Sequence, residues 1–316
     1  MNTINTYILT GFLGAGKTTV LNHLLKQVAD KKNIIVENEF GKVNIDKQLV
    51  EQKYDQLYEL TNGCICCTYD EGFYDLLNEL YVRKNEINNL FIETTGVADV
   101  STLKALFNRP DVKNHFSLIN TICVVDAEVV EEFLKEHIEV ERQLIAADII
   151  VINKINHVNP IYLKELQQKI LVINPLAIIL QTADGYLALK DINIKNHKIS
   201  SLSIAKSTHN KSLHNNIVTH LYETDALINI LAFQATISIT MLLYNHQIYR
   251  VKGFIKANDG QTYLFQSAGK GISLEPLPDK KIDKTQLVFI GKNVEYKSIE
   301  RIMNQTLVKP NKINSI

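Results

Sequence analysis

Eight residues near the start of the chain, Gly11-Phe12-Leu13-Gly14-Ala15-Gly16-Lys17-Thr18, constrain its fold more than any other feature. They fit G-x-x-x-x-G-K-[ST]. They also stand where that motif must stand, after an apolar run (Tyr7-Ile8-Leu9-Thr10) and before a helical pattern running from Thr18 to Val28. Val20, Leu21, Leu24, Leu25 and Val28 fall on one face of that helix. Glycines let such a loop curl so that successive N–H groups point at one anion, and the helix N-terminus adds partial positive charge. Gly11, Leu13, Gly14, Ala15, Gly16, Lys17, Thr18 and Thr19 are therefore the expected phosphate-binding residues. Lys17 reaches the β- and γ-phosphates, and the Thr18 hydroxyl suits Mg²⁺.

The first half continues as short apolar runs separated by helix-length connections. Asn33 to Val36, Leu90 to Ile92, Thr121 to Val125, Ile149 to Ile152 and Ile178 to Leu180 read as five more strands. Strands apolar on both faces, with long connections, predict a doubly wound, mostly parallel α/β sheet over residues 1–184. Residues 185–215 read as a linker. From 216 to 316 the pattern shifts to a smaller α+β domain with antiparallel strands at Tyr249 to Phe254, Gln261 to Gln266 and Gln286 to Ile290. Asp225 to Tyr244 fits either element: Leu227, Ile230 and Leu231 suit a helix, whereas Thr236 to Thr240 alternates like a strand.

A phosphate loop needs an acidic partner at a later strand end. Leu90-Phe91-Ile92-Glu93-Thr94-Thr95-Gly96 supplies Glu93, and Gly96 would permit close backbone approach to a γ-phosphate. Asp126, ending Val124-Val125-Asp126, is a second candidate. Either could hold Mg²⁺ or position the attacking water, so Lys17, Thr18, Glu93 and Asp126 form the expected catalytic set. Ile152-Asn153-Lys154-Ile155-Asn156 resembles the N-K-x-D segment that reads guanine, with Asn153, Lys154 and Asn156 as base contacts. The last position carries an amide in place of a carboxylate. An amide offers one acceptor where guanine presents two donors, and it suits a base with a carbonyl there, such as xanthine. GTP remains the first choice of nucleotide.

Three of the four cysteines lie within Gly63-Cys64-Ile65-Cys66-Cys67. Thiolates this close can place two or three sulfurs on one Zn²⁺. Glu37 and Glu39, just after the second strand, could add oxygen ligands. A redox pair at Cys64 and Cys67, or inert buried thiols, are the competing readings. Cys123 sits inside an apolar strand and belongs to a core. Among the nine histidines, His209, His214 and His220 cluster loosely and read as surface residues.

Thirty-four basic residues balance thirty-four acidic ones in 316, so no global field is available to hold nucleic acid or an anionic membrane. The most lipid-like segment, Ala226 to Tyr249, lacks Asp, Glu, Lys and Arg, but Asn229, Gln234, Thr236, Ser238 and Thr240 interrupt it. The N-terminus lacks the pattern of a signal peptide. A reduced, cytoplasmic protein is expected, either monomer or homodimer.

Taken in order, the loop Gly11 to Thr18, Glu37-Asn38-Glu39-Phe40-Gly41, Gly63-Cys64-Ile65-Cys66-Cys67 and Glu93-Thr94-Thr95-Gly96 resemble the CobW-like family of P-loop GTPases, close to its YjiA-type branch. Gln143 with Ala147-Asp148, Asn174-Pro175-Leu176-Ala177, Arg250-Val251-Lys252-Gly253 and Val288-Phe289-Ile290-Gly291 match later family segments. The resemblance implies slow GTP hydrolysis coupled to binding zinc or cobalt and delivering it to a client metalloprotein. It also implies that the cysteine motif lies on a segment responding to the nucleotide. Asn156 departs from the family pattern, and Lys42 stands where an acid is usual. The histidine-rich stretch of some members and the proline-containing docking motif of the zinc-transferase branch are not seen, which argues against metal storage and against that branch's client. Two rivals remain at this stage: an ATP-dependent small-molecule kinase with structural cysteines, and a zinc sensor with vestigial hydrolysis.

Overall fold

The apolar runs of the first half become the strands of one parallel sheet. The computed structural model describes residues 3–37, 56–59, 71–193, 217–244, 246–269 and 271–308. By its contacts the chain separates into two units, Met1–Lys198 and Ile199–Ile316.

In the first unit β1 (Ile4–Thr10) leads through the glycine loop into α1 (Lys17–Gln27). There follow β2 (Asn33–Glu37), β3 (Gln56–Glu59), α2 (Glu71–Val82), β4 (Asn89–Glu93), α3 (Val100–Phe107) and α4 (Pro110–Lys113). Then come β5 (Phe116–Asp126), α5 (Val130–Glu136), α6 (Ile138–Ala146), β6 (Ile149–Asn153), α7 (Pro160–Ile173), β7 (Ile178–Gln181) and α8 (Leu189–Ile192). The sheet order is β3-β2-β4-β1-β5-β6-β7, and every neighbouring pair is parallel.

Alternate residues of each inner strand feed two different cores. Ile8, Ile34, Val36, Leu90 and Ile92 pack with Phe73, Leu77 and Leu80 of α2 and Leu103 and Phe107 of α3. Leu9, Ile35, Phe91 and Val124 pack on the other face with Val20, Leu21, Leu24 and Leu25 of α1. Burial on both faces is why these strands read as unbroken apolar runs. The sequence pattern anticipates six strands here and misses β3, a four-residue edge strand, Gln56-Leu57-Tyr58-Glu59, whose ends are polar.

The second unit contains β8 (Ile217–Thr224), α9 (Ile230–Tyr244), β9 (Ile248–Lys256), β10 (Thr262–Ala268), β11 (Gly271–Pro276), β12 (Thr285–Lys292) and α10 (Tyr296–Asn304). Its antiparallel sheet runs β11-β10-β9-β12-β8. Phe233, Ile237 and Met241 of α9 and Ile299 and Met303 of α10 pack on one sheet face against Val251, Ile255 and Phe289. Thr236 to Thr240, which alternates like a strand, is helical: the Ser238 and Thr240 hydroxyls donate back to the carbonyls of Gln234 and Thr236. No helix among the described residues is long and apolar enough to cross a membrane.

One histidine expectation is corrected. His220 is buried at 1 % exposure on β8, where the Val294 carbonyl, 2.7 Å away, accepts from its Nε2. From Thr219 to Tyr222 successive residues of β8 are all buried, so His220 is covered whichever face it takes. His209 and His214 lie outside the described residues.

Candidate functional site

In a parallel sheet every strand delivers its last residue to the same edge, and the crevice opens where the strand order reverses. Here that edge carries the loop after β1, Glu37 on β2, Glu93 on β4, Asp126 on β5 and Asn153 on β6. β1, buried at every residue except Asn5, aims the loop. Gly16 has φ 95°, and a Cβ on it would lie 2.5 Å from Asn153 Nδ2, so only glycine fits there. In the space so left, Asn153 Nδ2 donates to the Ala15 carbonyl at 3.0 Å. The end of β6 is thereby tied to the phosphate loop.

Lys17 bends back over the loop, donating to the Gly11 and Phe12 carbonyls at 3.0 and 3.4 Å. Leu13, Gly14 and Thr19 are exposed, whereas Ala15 is buried. The Thr18 hydroxyl donates to Glu93 Oε1 at 3.0 Å. Of the two acids offered by the sequence, Glu93 is therefore the one beside Thr18.

Asp126 is held by other partners, on the far side of β1 from Glu93 in the order β4-β1-β5. Asp126 Oδ2 accepts from Lys154 Nζ at 2.6 Å, and its Oδ1 accepts from the Glu128 backbone N–H. Lys154 itself sits in the left-handed region at φ 58°, a conformation that costs a non-glycine residue about 1–2 kcal/mol. Asn156 follows in a 3-10 turn, Ile155–His157, and is exposed.

Glu93 is followed by a loop pressed against the phosphate cradle. A Cβ on Gly96 would come 2.7 Å from the Leu13 backbone nitrogen. Gln143, from α6 and 1 % exposed, donates to the Gly96 and Ala98 carbonyls at 3.0 and 3.2 Å. It is a positioning residue that the sequence shows only as a family match.

A second missed element is the turn Thr182-Ala183-Asp184-Gly185 after β7. The Ile155 N–H donates to the Thr182 carbonyl, and the turn reaches α1, where a Cβ on Gly185 would meet Thr19 Cγ2 at 3.1 Å. Asp184 Oδ1 accepts from the Tyr186 N–H and the Thr182 hydroxyl, which holds its carboxyl below the usual range. Short polar residues closing a strand on the loop-bearing edge were the available signal.

Glu37, 6 % exposed, ends β2 directly beside Glu93 in the strand register. Glu59 takes the next register position on β3. Cys64, Cys66, Cys67, Glu39 and Lys42 lie outside the described residues. Cys123 is a core residue at 1 % exposure, its thiol pushed up to about 12 by burial.

Residues 5–181 match the family model described as CobW/HypB/UreG, nucleotide-binding domain. The chain belongs to that family. Residues 217–307 match the cobalamin synthesis protein cobW C-terminal domain. Similar proteins include the zinc-regulated GTPase metalloprotein activator 1 of Schizosaccharomyces pombe, 28% identical over 91% of this chain and 82% of its own length. The zinc chaperone CobW of Pseudomonas aeruginosa is 27% identical over 95% of this chain and 90% of its own. Among solved structures, the Zn(II)-bound YjiA GTPase from E. coli superposes with a TM-score of 0.71 at 26% identity. That match covers 98% of this chain and 100% of the solved one.

Proposed function

We infer that this CobW/HypB/UreG-family chain hydrolyses GTP and uses the nucleotide state to bind zinc and deliver it to a client protein. Relatives spanning most of its length are named zinc-regulated GTPase metalloprotein activator and zinc chaperone, and the P-loop motif stands between β1 and α1. Residues 1–184 carry the nucleotide and metal chemistry, 185–215 connect, and 216–316 form the C-terminal domain.

Lys17 and the loop amides from Leu13 to Thr19 hold the phosphates. The Thr18 hydroxyl and the Glu93 carboxylate, 3.0 Å apart, are the all-oxygen donor pair that Mg²⁺ takes. When bound there, the ion neutralises charge developing on the phosphate oxygens. Glu93 orients the Thr18 hydroxyl and is the acid nearest to an attacking water, and Gly96 brings its amide to the γ-phosphate. Asp126 acts at one remove, by fixing Lys154 beside the base. Asn153, Lys154 and Asn156 face the base.

Zinc is cargo. Cys64, Cys66 and Cys67 supply thiolates, and Glu37 with Glu39 supplies oxygen; cobalt is a second ion such a set accepts. The observation that carries the coupling is the register pairing of Glu37 with Glu93. It makes the last residue of the strand leading into the metal segment a neighbour of the residue that touches Thr18.

Zinc titration of the full chain with GDP, with a non-hydrolysable GTP analogue and with no nucleotide tests this reading. The expected result is a nucleotide-dependent shift of about five-fold or more in zinc affinity, lost in a Cys64→Ser, Cys66→Ser, Cys67→Ser variant. Identical zinc affinity in all three states refutes the coupling. Absence of GTP turnover with zinc present refutes the hydrolase.

A further inference from the structure

Phe12 is the residue of the phosphate loop to which the nucleotide and metal chemistry gives no task. Its backbone is the hub of the cradle: the Phe12 carbonyl accepts from the Ala15 N–H at 3.3 Å and from Lys17 Nζ at 3.4 Å. A phenyl ring offers an anion nothing, so the side chain serves another end.

That ring is held between two others. α5 ends and α6 begins at His137, where the backbone is extended (φ −127°, ψ 109°). Phe133 and His137 are four residues apart, the spacing that sets side chains on one side of a helical turn. The His137 N–H still donates to the Phe133 carbonyl at 2.8 Å. Their rings stand 6.0 Å apart at 61° and form two walls of a slot. The Phe12 ring fills it, 4.5 Å from Phe133 and 4.6 Å from His137, and lies at 29° to the imidazole. All three side chains are half-buried, so the stack sits at the surface beside the loop.

The same helix holds a second loop. Six residues beyond His137, about 9 Å along α6, Gln143 donates to the Gly96 and Ala98 carbonyls. The two loops also meet each other, since a Cβ on Gly96 would lie 2.7 Å from the Leu13 nitrogen. The phosphate loop, α6 and the Gly96 loop thus form a closed triangle of contacts. A helix does not stretch, so its two grips fix how far apart the loops stand. The Phe12 corner of that triangle is closed by ring stacking.

We propose that Phe133 and His137 are positioning residues for GTP turnover: by stacking on Phe12 they lock the phosphate loop to α6, so that the loop amides and the Gly96 amide keep the spacing a γ-phosphate needs. They act through Phe12 and not by touching the nucleotide. The inference rests on the hydrolase reading and names what braces its phosphate loop. GDP lacks the γ-phosphate, so its binding does not call on that spacing. Loss of the stack therefore slows the reaction and leaves GDP binding intact.

Steady-state GTP hydrolysis and GDP titration of the full chain test this, with thermal melts to keep each variant folded at the assay temperature. His137→Ala and Phe133→Leu should each lower kcat about three- to ten-fold, the range that loss of an aromatic pair allows. KM for GTP and Kd for GDP should stay essentially unchanged. His137→Phe should recover most of the turnover, because a planar ring refills the slot. Combined with Gln143→Ala, His137→Ala should cost less than the product of the two separate losses, because both grips act through one helix. Unchanged kcat in His137→Ala and Phe133→Leu overturns the proposal. An equal fall in GDP affinity overturns it too, since the stack would then be a general prop of the loop. Failure of His137→Phe to recover turnover assigns the imidazole a chemical role of its own, and losses that simply multiply break the link through α6; either result overturns the proposal. A wild-type chain that hydrolyses no GTP sinks the hydrolase reading and this inference together, whereas an active wild type with an indifferent His137→Ala sinks this inference alone.

Discussion

The buried ion pair between Lys104 and Asp148 should be among the most expensive interactions in the first unit to break. Lys104 lies on α3, the helix that follows the Gly96 loop, and Asp148 stands just before β6. Their side chains are 7% and 10% exposed with Nζ and Oδ2 2.7 Å apart. Lys104 also donates to the Ala146 carbonyl at 2.9 Å, and Asp148 accepts from the Thr121 N–H at 3.1 Å. Lys104→Met preserves length and leaves the carboxylate buried beside the Thr121 N–H without its ammonium partner. Removing one member of such a pair costs about 3–5 kcal/mol, or roughly 6–20 °C in Tm for a unit near 200 residues.

Lys104→Met with Asp148→Asn removes the charge yet keeps an acceptor for the Thr121 N–H. It should recover most of the loss, giving a coupling of about 2 kcal/mol or more. Urea titration with pulsed thiol labelling, read at the peptide carrying Cys123, isolates the unfolding of this unit because Cys123 is buried in β5. A cost below about 1 kcal/mol for Lys104→Met would mean that water solvates the pair and that the burial reasoning is wrong.

Three further outcomes are expected. Asn156→Asp should raise the preference for guanine over xanthine diphosphate at least about ten-fold by restoring a charge-assisted acceptor; unchanged ratios in nucleotide-binding titrations would remove Asn156 from the base contact. Glu93→Gln should retain the bond from Thr18 and bind GTP, but lose turnover by about 10²-fold or more, and undiminished turnover would reassign the acid. Burial raises the folded Cys123 pKa from 9.0 to about 12, so its contribution is complete below pH 9 and is lost as pH climbs through that window. Cys123→Val should flatten the alkaline fall in stability by up to about 1.4 kcal/mol per pH unit, and an unaltered slope would contradict this.

The parts of the fold that could be read in advance are those in which backbone geometry or two-sided burial permits few residue types. Gly16 must be glycine because of its φ and because of Asn153. Ile34-Ile35-Val36 and Phe91 feed two cores at once, so their strands read as unbroken apolar runs. The ambiguity of α9 has a different physical origin. Its exposed face is as apolar as its buried one, which erases the 3.6-residue period and leaves the alternation of Thr236, Ile237, Ser238, Ile239 and Thr240 as the visible signal. Glu93 and Asp126 look equivalent as strand-end acids, and only the strand order, with β1 between them, separates the residue beside Thr18 from the one that holds Lys154. Gln143 was legible as a residue but not as a role, since the two carbonyls it fixes lie 47 and 45 positions away.

Adjacency of Glu37 and Glu93 does not by itself couple the sites in the direction a chaperone requires. If one divalent ion stood at each carboxylate, a separation of about 10 Å would give a repulsion of roughly 2 kcal/mol even at the dielectric constant of water. On charge alone, each ion would handicap the other by an order of magnitude. Mutual tightening must therefore come from the chain between the two carboxylates, residues 38–92, which includes Cys64, Cys66 and Cys67. If both ligands favour one arrangement of the residues between the two carboxylates, each tightens the other. Linkage then demands reciprocity, with zinc strengthening GTP binding by the factor by which GTP strengthens zinc. The sign of that factor separates the two accounts. Tightening requires the connecting segment, whereas mutual weakening would mean that the two carboxylates communicate through charge and nothing more.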